Sequence, residues 1–422
     1  MKIINTCERI KSVFINGFDI VAWRKYAREI SKELPFKCEN DAKSYDFDKC
    51  VLPVLENALN EDKIDFVSKN FQSVVETLNA NLSKLFDTEP DINIILYLGL
   101  CNGAGWATSL DGKNTVLLGI EKIIELNWGD EINMRALILH EIGHLWHKMN
   151  GNLYFPDFTK RRKAIQQLYQ EGVAMVCEHI LCGDDDFYHQ DKDGWLDWCC
   201  ENEAEIKKEY FRRIDKNESV QDFFGDWCSY NGYSDVGYFL GCRFICYLMK
   251  KYSLSEIADM KYSKINKAFT EFANTVIEPL SVEDYHKCSN IWNMKAQPLA
   301  EKWREEIASG KRQVFIYKIN GEFIGEGALV FDTGDPDYTI PDRRVYVSRM
   351  IVKKEYRNRG IGSEILEFLI KKAKESGFSE MTIGVDKDNV SALHLYRKYG
   401  FTEVLFEGAD EDGEYYKLMK RI

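Results

Sequence analysis

The stretch Val352-Lys353-Lys354-Glu355-Tyr356-Arg357-Asn358-Arg359-Gly360-Ile361-Gly362 decides how the last third of this chain folds. The apolar, β-branched run Val345–Val352 ahead of it predicts a strand, and the pattern from Ile361 to Ser376 predicts a helix. The glycines between them let backbone N–H groups turn toward an anion. The helix N-terminus adds the positive end of its dipole, and Arg357 and Arg359 add formal charge. A loop of this kind is built to wrap a phosphate group.

Downstream, Glu380–Val385 reads as a strand and Val390–Tyr399 as a helix. Upstream, Val276–Leu280, Val314–Ile319 and Phe323–Phe331 read as strands, with Asn320-Gly321 as a hairpin turn and Ser281–Asp284 as a helix-opening cap. Residues 273–422 are expected to form a mixed α/β domain, joined to residues 1–272 with no flexible linker.

The loop resembles the Arg/Gln-x-x-Gly-x-Gly/Ala motif of the GNAT N-acetyltransferase superfamily. The stretch Asn389-Val390-Ser391-Ala392-Leu393-His394-Leu395-Tyr396-Arg397-Lys398-Tyr399-Gly400-Phe401 is similar to its second signature. The resemblance implies a GNAT fold, acetyl-CoA as cofactor and an amine acceptor, either a small molecule or a peptide. It implies that backbone groups of Met350 and Val352 hold the pantetheine arm, with the Met350 N–H polarising the acetyl carbonyl. Arg357, Asn358, Arg359, Gly360, Ile361, Gly362 and Ser363 would bind the pyrophosphate. Asn389 would contact the cofactor near its sulfur, and Tyr396 would protonate the leaving thiolate. The general base stays open between Glu326 and Asp332. The acidic loop Asp332–Tyr338 would draw a cationic amine.

A second chemistry lies about two hundred residues earlier, at His140-Glu141-Ile142-Gly143-His144. On a buried helix over Arg135–Met149, His140 and His144 share one face, and Glu141 stands beside them as a base. This is a zinc pattern, which needs a third protein ligand and an open position. Glu171, in Leu168-Tyr169-Gln170-Glu171-Gly172-Val173-Ala174, is the candidate, at the opening of a second helix.

Residues from roughly 130 to 245 resemble the gluzincin metallopeptidases, whose third ligand is the Glu of an Asn-Glu-Gly-(apolar)-Ala stretch. The resemblance implies zinc on His140, His144 and Glu171, with Glu141 as catalytic base. It implies that Tyr238, in Tyr238-Phe239-Leu240-Gly241, stabilises the transition state, with Tyr233 as runner-up. Gln170 departs from the usual Asn. Met175 stands where thermolysin carries a carboxylate, so Glu178 would have to substitute. His147 and His179 read as structural. Either Asp91–Leu100 or Asn114–Ile120 could line the cleft and pair with an extended peptide.

Helices, a small sheet and more helices make residues 1–272 an α+β domain. Apolar residues are 45% of the chain, enough for two cores. Lys and Arg number 56 against 68 Asp and Glu, with no basic footprint for nucleic acid. No apolar run spans a bilayer and the first residues lack a secretory h-region, so a cytoplasmic protein with reduced thiols is expected. Cys177, Cys242 and Cys246 should pack as small apolar residues. Both activities are expected on one chain; the alternative is an acetyltransferase whose zinc domain only binds or senses a peptide or protein.

Overall fold

The computed structural model describes residues 1–14, 17–151, 159–410 and 413–422. The chain divides into two compact units, Met1–Asn266 and Lys267–Ile422, and the division falls inside the helix Tyr262–Ala273.

The principal elements of the first unit are β1 (Lys2–Asn5), α1 (Glu61–Leu82), β2 (Ile92–Tyr97), β3 (Gly105–Leu110), β4 (Lys113–Gly119), α2 (Glu131–Asn150), α3 (Lys160–Cys182) and α4 (Val236–Met249). Helix α1 opens on Asn60, whose side chain accepts from the Lys63 N–H, and carries Glu61 and Asp62 in its first turn. It buries Ile64, Val67, Phe71, Val74, Val75, Leu78 and Leu82, a stripe at helical spacing.

The sheet runs β1-β2-β4-β3, parallel except for the β3–β4 hairpin. Two of these strands differ from expectation. β1 lies in residues 1–86, whose apolar spacing predicts mostly helix, and β3 starts at the last residue of the Gly-rich stretch Cys101-Asn102-Gly103-Ala104-Gly105, which predicts a turn. Both are short or only half-buried, so neither shows the apolar run that marks β2 and β4. The two strands expected at the cleft are therefore interior. The edge beside α2 is β3.

Helix α2 is capped by Asp130, whose carboxylate accepts from the Ile132 and Asn133 N–H groups. Helix α3 starts at Lys160 under a Thr159 cap, so Glu171 lies in its middle rather than at its opening. Glycines bring α2, α3 and α4 together. A Cβ on Gly172 would lie 2.2 Å from the Gly241 carbonyl oxygen, and one on Gly143 would lie 2.9 Å from the Ala174 carbonyl oxygen. Cys177 and Cys242 are buried here as expected, whereas Cys246 faces outward from α4.

The second unit contains β5 (Thr275–Pro279), α5 (Ala300–Ala308), β6 (Arg312–Ile319), β7 (Glu322–Val330), β8 (Arg344–Val352), α6 (Ile361–Glu375), β9 (Glu380–Asp386), α7 (Val390–Lys398), β10 (Glu403–Asp410) and β11 (Gly413–Arg421). Ser281 does cap the next turn, but only a short 3₁₀ segment, Tyr285–Asn290, follows. The sheet runs β10-β11-β9-β8-β7-β6-β5, with β8–β9 its one parallel pair among the described residues. Alternation along β6 feeds two cores. Phe315, Tyr317 and Ile319 pack with Ile365 and Leu369 of α6, and Val314 and Ile316 pack with Tyr285 and Cys288. Among the described residues, no helix is long and apolar enough to cross a membrane.

The Gly172–Gly241 contact generates a direct prediction. Gly172→Ala forces a methyl against a backbone oxygen that cannot rotate away, so it should cost about 3 kcal/mol. Thermal unfolding followed by circular dichroism checks this; an unchanged melting temperature would mean that α3 and α4 have slack.

Candidate functional site

In the first unit, α2 and α3 turn three ligand-type atoms toward one point. His140 and His144 lie one turn apart with ring centroids at 4.9 Å. Glu171 Oε2 stands 3.4 Å from His140 Nε2 and 3.2 Å from His144 Nε2. That oxygen is buried and has no hydrogen-bond partner. A buried carboxylate oxygen without a donor is costly, and two imidazole nitrogens with one carboxylate oxygen are a zinc-type donor set. The donor set and the orphaned oxygen both fit a metal ion.

Behind His140 lies a buried polar chain. Glu178 Oε2 is 3.1 Å from His140 Nδ1. His189 Nδ1 is 3.1 and 3.2 Å from the two Glu178 oxygens, and Gln190 Nε2 donates to His189 Nε2 at 3.0 Å. The Gln190 donor leaves the His189 proton on Nδ1, facing Glu178. With Glu178 also accepting from His140 Nδ1–H, the His140 Nε2 lone pair is left facing the cluster. Burial pushes the Glu178 carboxyl up, but electrostatic attraction and hydrogen bonds from His189 and His140 outweigh it and hold it down at about 2. Burial opposes charge on His140, but Glu171 and Glu178 outweigh it, so the two carboxylates favour a cation at its Nε2, the place of a metal ion.

Glu178 is thus the carboxylate that supports His140 from behind. Its signal was a spacing of two helical turns from Glu171. His189 had no signal, because it reaches the site from the loop after α3.

Glu141 borders a cleft of ≈ 360 Å³, shared with Gly105, Trp106, His144, Glu171 and Tyr238. A Cβ at Gly105 would sit 2.4 Å from Glu141 Oε1, so glycine is what leaves the carboxylate its room. The turn before Gly105 is held by buried Glu121, which accepts from the Gly99 N–H at 2.9 Å and the Cys101 N–H at 3.1 Å. Tyr238, in the first turn of α4, has its ring 5.6 Å from that of His140. Burial and then the nearby carboxylate of Glu171 keep its phenol protonated. Tyr233 instead stacks on Trp198 at 4.5 Å, outside the cleft lining. His179 packs against Tyr188 and Cys242. His147 is buried and borders the cleft, with both ring nitrogens unpartnered. Burial lowers its pKa to about 3.

In the second unit, β8 pairs with β9 only from Arg344–Val347 to Glu380–Ile383. The remaining residues of β8, including Met350 and Val352, have no partner on β9. The loop after β8 holds two left-handed residues, Asn358 (φ +59°) and Gly360 (φ +80°). Gly360 stands at the N-cap of α6 and offers no side chain to the first-turn N–H groups. The strands thus part just ahead of a helix N-terminus, whose first N–H groups are of the kind that bind an anion.

Residues 277–401 match the acetyltransferase (GNAT) family. The N-alpha-acetyltransferase MAK3 of Arabidopsis thaliana is 32% identical over 136 residues, covering 31% of this chain and 69% of that protein. An uncharacterised N-acetyltransferase of Lactobacillus delbrueckii subsp. lactis is 26% identical over 125 residues, 29% of this chain and 72% of that one. The chain belongs to the GNAT acetyltransferase family. Among solved structures, the ribosomal-protein-S18-alanine N-acetyltransferase of Escherichia coli is 20% identical over 35% of this chain and 94% of that one, at a TM-score of 0.29.

Within the GNAT unit, several side chains are already engaged. Arg357 Nε donates to the Val352 carbonyl at 2.9 Å, and Arg359 Nη2 to the Glu355 carbonyl at 2.8 Å. Asn389 caps α7, accepting from the Ala392 N–H at 3.2 Å. Tyr396 is buried on α7, and burial, Tyr346 and Asp386 together raise its pKa and keep it protonated. Glu326 accepts one hydrogen bond on each oxygen, from Arg349 Nε at 3.1 Å and from Trp292 Nε1 at 2.9 Å. Asp332 is exposed and accepts from the Gly334 N–H. The acidic loop is partly neutralised, since Lys417 Nζ lies 2.6 Å from Asp335 and 3.1 Å from Asp337.

The chain behind His140 predicts that Glu178→Gln weakens zinc affinity about 10- to 100-fold. Competition against a chromophoric chelator measures this, and an unchanged affinity would show that the His140 tautomer is fixed by something else.

Proposed function

We propose that this chain joins two enzymes: an acetyl-CoA-dependent N-acetyltransferase in its second unit, and a zinc-dependent peptide hydrolase of gluzincin type in its first. The observation that supports the first is the parting of β8 from β9 ahead of an uncapped helix N-terminus. Acetyl transfer forms a C–N bond between the acceptor amine and the acetyl carbonyl carbon and breaks the thioester C–S bond. The amine nitrogen gives up a proton and the sulfur gains one. Met350 and Val352 line the pantetheine arm, with the Met350 N–H donating to the acetyl oxygen as negative charge grows there. Backbone and side-chain groups from Arg357 to Ser363 hold the pyrophosphate. Asn389 contacts the cofactor near its sulfur, and Tyr396 delivers the proton. The acceptor is an amine of a small molecule or a peptide, and the relative's name, N-alpha-acetyltransferase, favours an α-amine.

For the first unit, the supporting observation is Glu141 opening on the same cleft as His140, His144 and Glu171. When bound, zinc acts as a Lewis acid and lowers the pKa of a coordinated water to about 7. His140, His144 and Glu171 hold it. Glu141 takes the proton released during attack and passes it to the departing amine. Tyr238 donates to the oxygen of the scissile carbonyl. The free edge of β3 pairs with an extended peptide. A unit that only bound or sensed its partner would have no use for a carboxylate at Glu141. The same reading sets the chain in the cytoplasm, with neither nucleic acid nor membrane as partner.

Two substitutions test this in one experiment, with peptide cleavage and acetyl transfer both read by mass spectrometry. Glu141→Gln should abolish cleavage while zinc content and acetyl transfer persist. Tyr396→Phe should slow acetyl transfer about tenfold or more and leave acetyl-CoA binding and cleavage intact. Cleavage that survives Glu141→Gln would remove the hydrolase reading. Full transfer by Tyr396→Phe would remove the proton donor.

A further inference from the structure

Arg349 is the one residue of β8 with a left-handed backbone, at φ +56°. It lies where pairing with β7 slips. Glu326 faces Ile351 and Ala328 faces Ser348, so Gly327 alone spans both Arg349 and Met350. This is a β-bulge, in which a left-handed residue is ordinarily glycine. Arginine there strains its Cβ against the backbone, so something else must hold the conformation.

Its side chain is held on three sides. The guanidinium carbon lies 4.1 Å from the ring centroid of Trp292 and 4.1 Å from that of Trp303. Arg349 Nε donates to Glu326 Oε1, and Trp292 Nε1 donates to Glu326 Oε2. The side chain of Arg349 is 14% exposed and that of Glu326 is 5% exposed. Trp292 packs with Val314, Ile316 and Ala328, in a different core from the one that holds Ile365 and Leu369 of α6. A planar guanidinium can stack between two indoles while keeping a directed bond to a carboxylate; an ammonium cannot. The cluster therefore ties β7, the bulge and the segment before β6 into one unit.

We infer that this cluster is a clamp that sets the bulge, and that Arg349 is a positioning residue for acetyl transfer. The next residue, Met350, lies on the part of β8 that has left β9, and the bulge fixes where its N–H points. A donor displaced by a fraction of an ångström from the developing oxyanion loses much of its effect. The inference rests on the acetyl-transfer reading above, because the direction of the Met350 N–H matters only if it meets the acetyl carbonyl. Arg349 itself touches neither reactant.

The test is steady-state kinetics on the full chain, following thiol release from acetyl-CoA with short peptides bearing a free N-terminus. Acetyl-CoA affinity is measured separately by calorimetry. Arg349→Ala should lower kcat about 10- to 100-fold with acetyl-CoA affinity and acceptor KM unchanged. Arg349→Gly should recover most of that loss, because glycine adopts the left-handed backbone without the clamp. Glu326→Gln, which keeps the shape but weakens the ion pair, should lower kcat to a smaller extent and guards against misfolding of the alanine variant. An Arg349→Ala enzyme with normal kcat and only a lower melting temperature would overturn the inference. So would an Arg349→Gly enzyme as poor as Arg349→Ala, or a loss confined to acceptor KM, since either would mean that the side chain acts directly. A parent enzyme that binds no acetyl-CoA would overturn the acetyl-transfer reading itself, and this inference with it.

Discussion

Glu171 Oε2, buried between two imidazole nitrogens and given no donor, is the constraint around which the first unit is organised. Folded chains rarely leave such an atom unmatched, because the lost hydration is not returned. Here the arrangement is imposed by backbone packing. Gly172 lets α3 lie against Gly241 of α4, and Gly143 lets α2 lie against Ala174 of α3. Helices this close fix the two histidines, the glutamate and Tyr238 as a rigid set. Glu178, His189 and Gln190 then consume the far side of His140, so its remaining nitrogen has only the cluster to face.

The GNAT unit applies the same principle to backbone groups. A parallel pair of strands would ordinarily continue its ladder, and a helix would ordinarily take a capping side chain. Strand β8 abandons β9 after Val347, and Gly360 offers α6 no side chain. In the acetyl-transfer proposal these unmatched groups are the ones that would meet a thioester and a pyrophosphate. The strain of Arg349 belongs to this arrangement, held in place by two indoles and a carboxylate away from the slot.

Most of this was legible where local chemistry dictates it. The strand–loop–helix around Gly360, the second signature ending at Phe401 and the i,i+4 histidines each carry their meaning within a dozen residues. What was not legible depends on distant partners. β3 is half-buried and starts inside a Gly-rich turn, so it reads as a loop until its pairing with β4 is known. β1 is four residues long and gains strand character only from β2. His189 reaches the site through the course of a loop, and Arg349 takes its conformation at a bulge; neither has a periodicity to read. The two donors to Glu326 were not legible, because Arg349 and Trp292 are 23 and 34 residues away in sequence. His147 read as a structural histidine, and its place at the border of the cleft had no signal of its own.

The most direct measurement is the zinc content of the purified full-length chain, by native mass spectrometry beside elemental analysis, with acetyl transfer assayed on the same sample. The account predicts about one zinc per chain, in keeping with three protein ligands and one open position, and loss of that zinc in His144→Ala with acetyl transfer retained. A chain that transfers acetyl groups yet carries no more zinc than its His144→Ala variant, even after incubation with the metal, would contradict it.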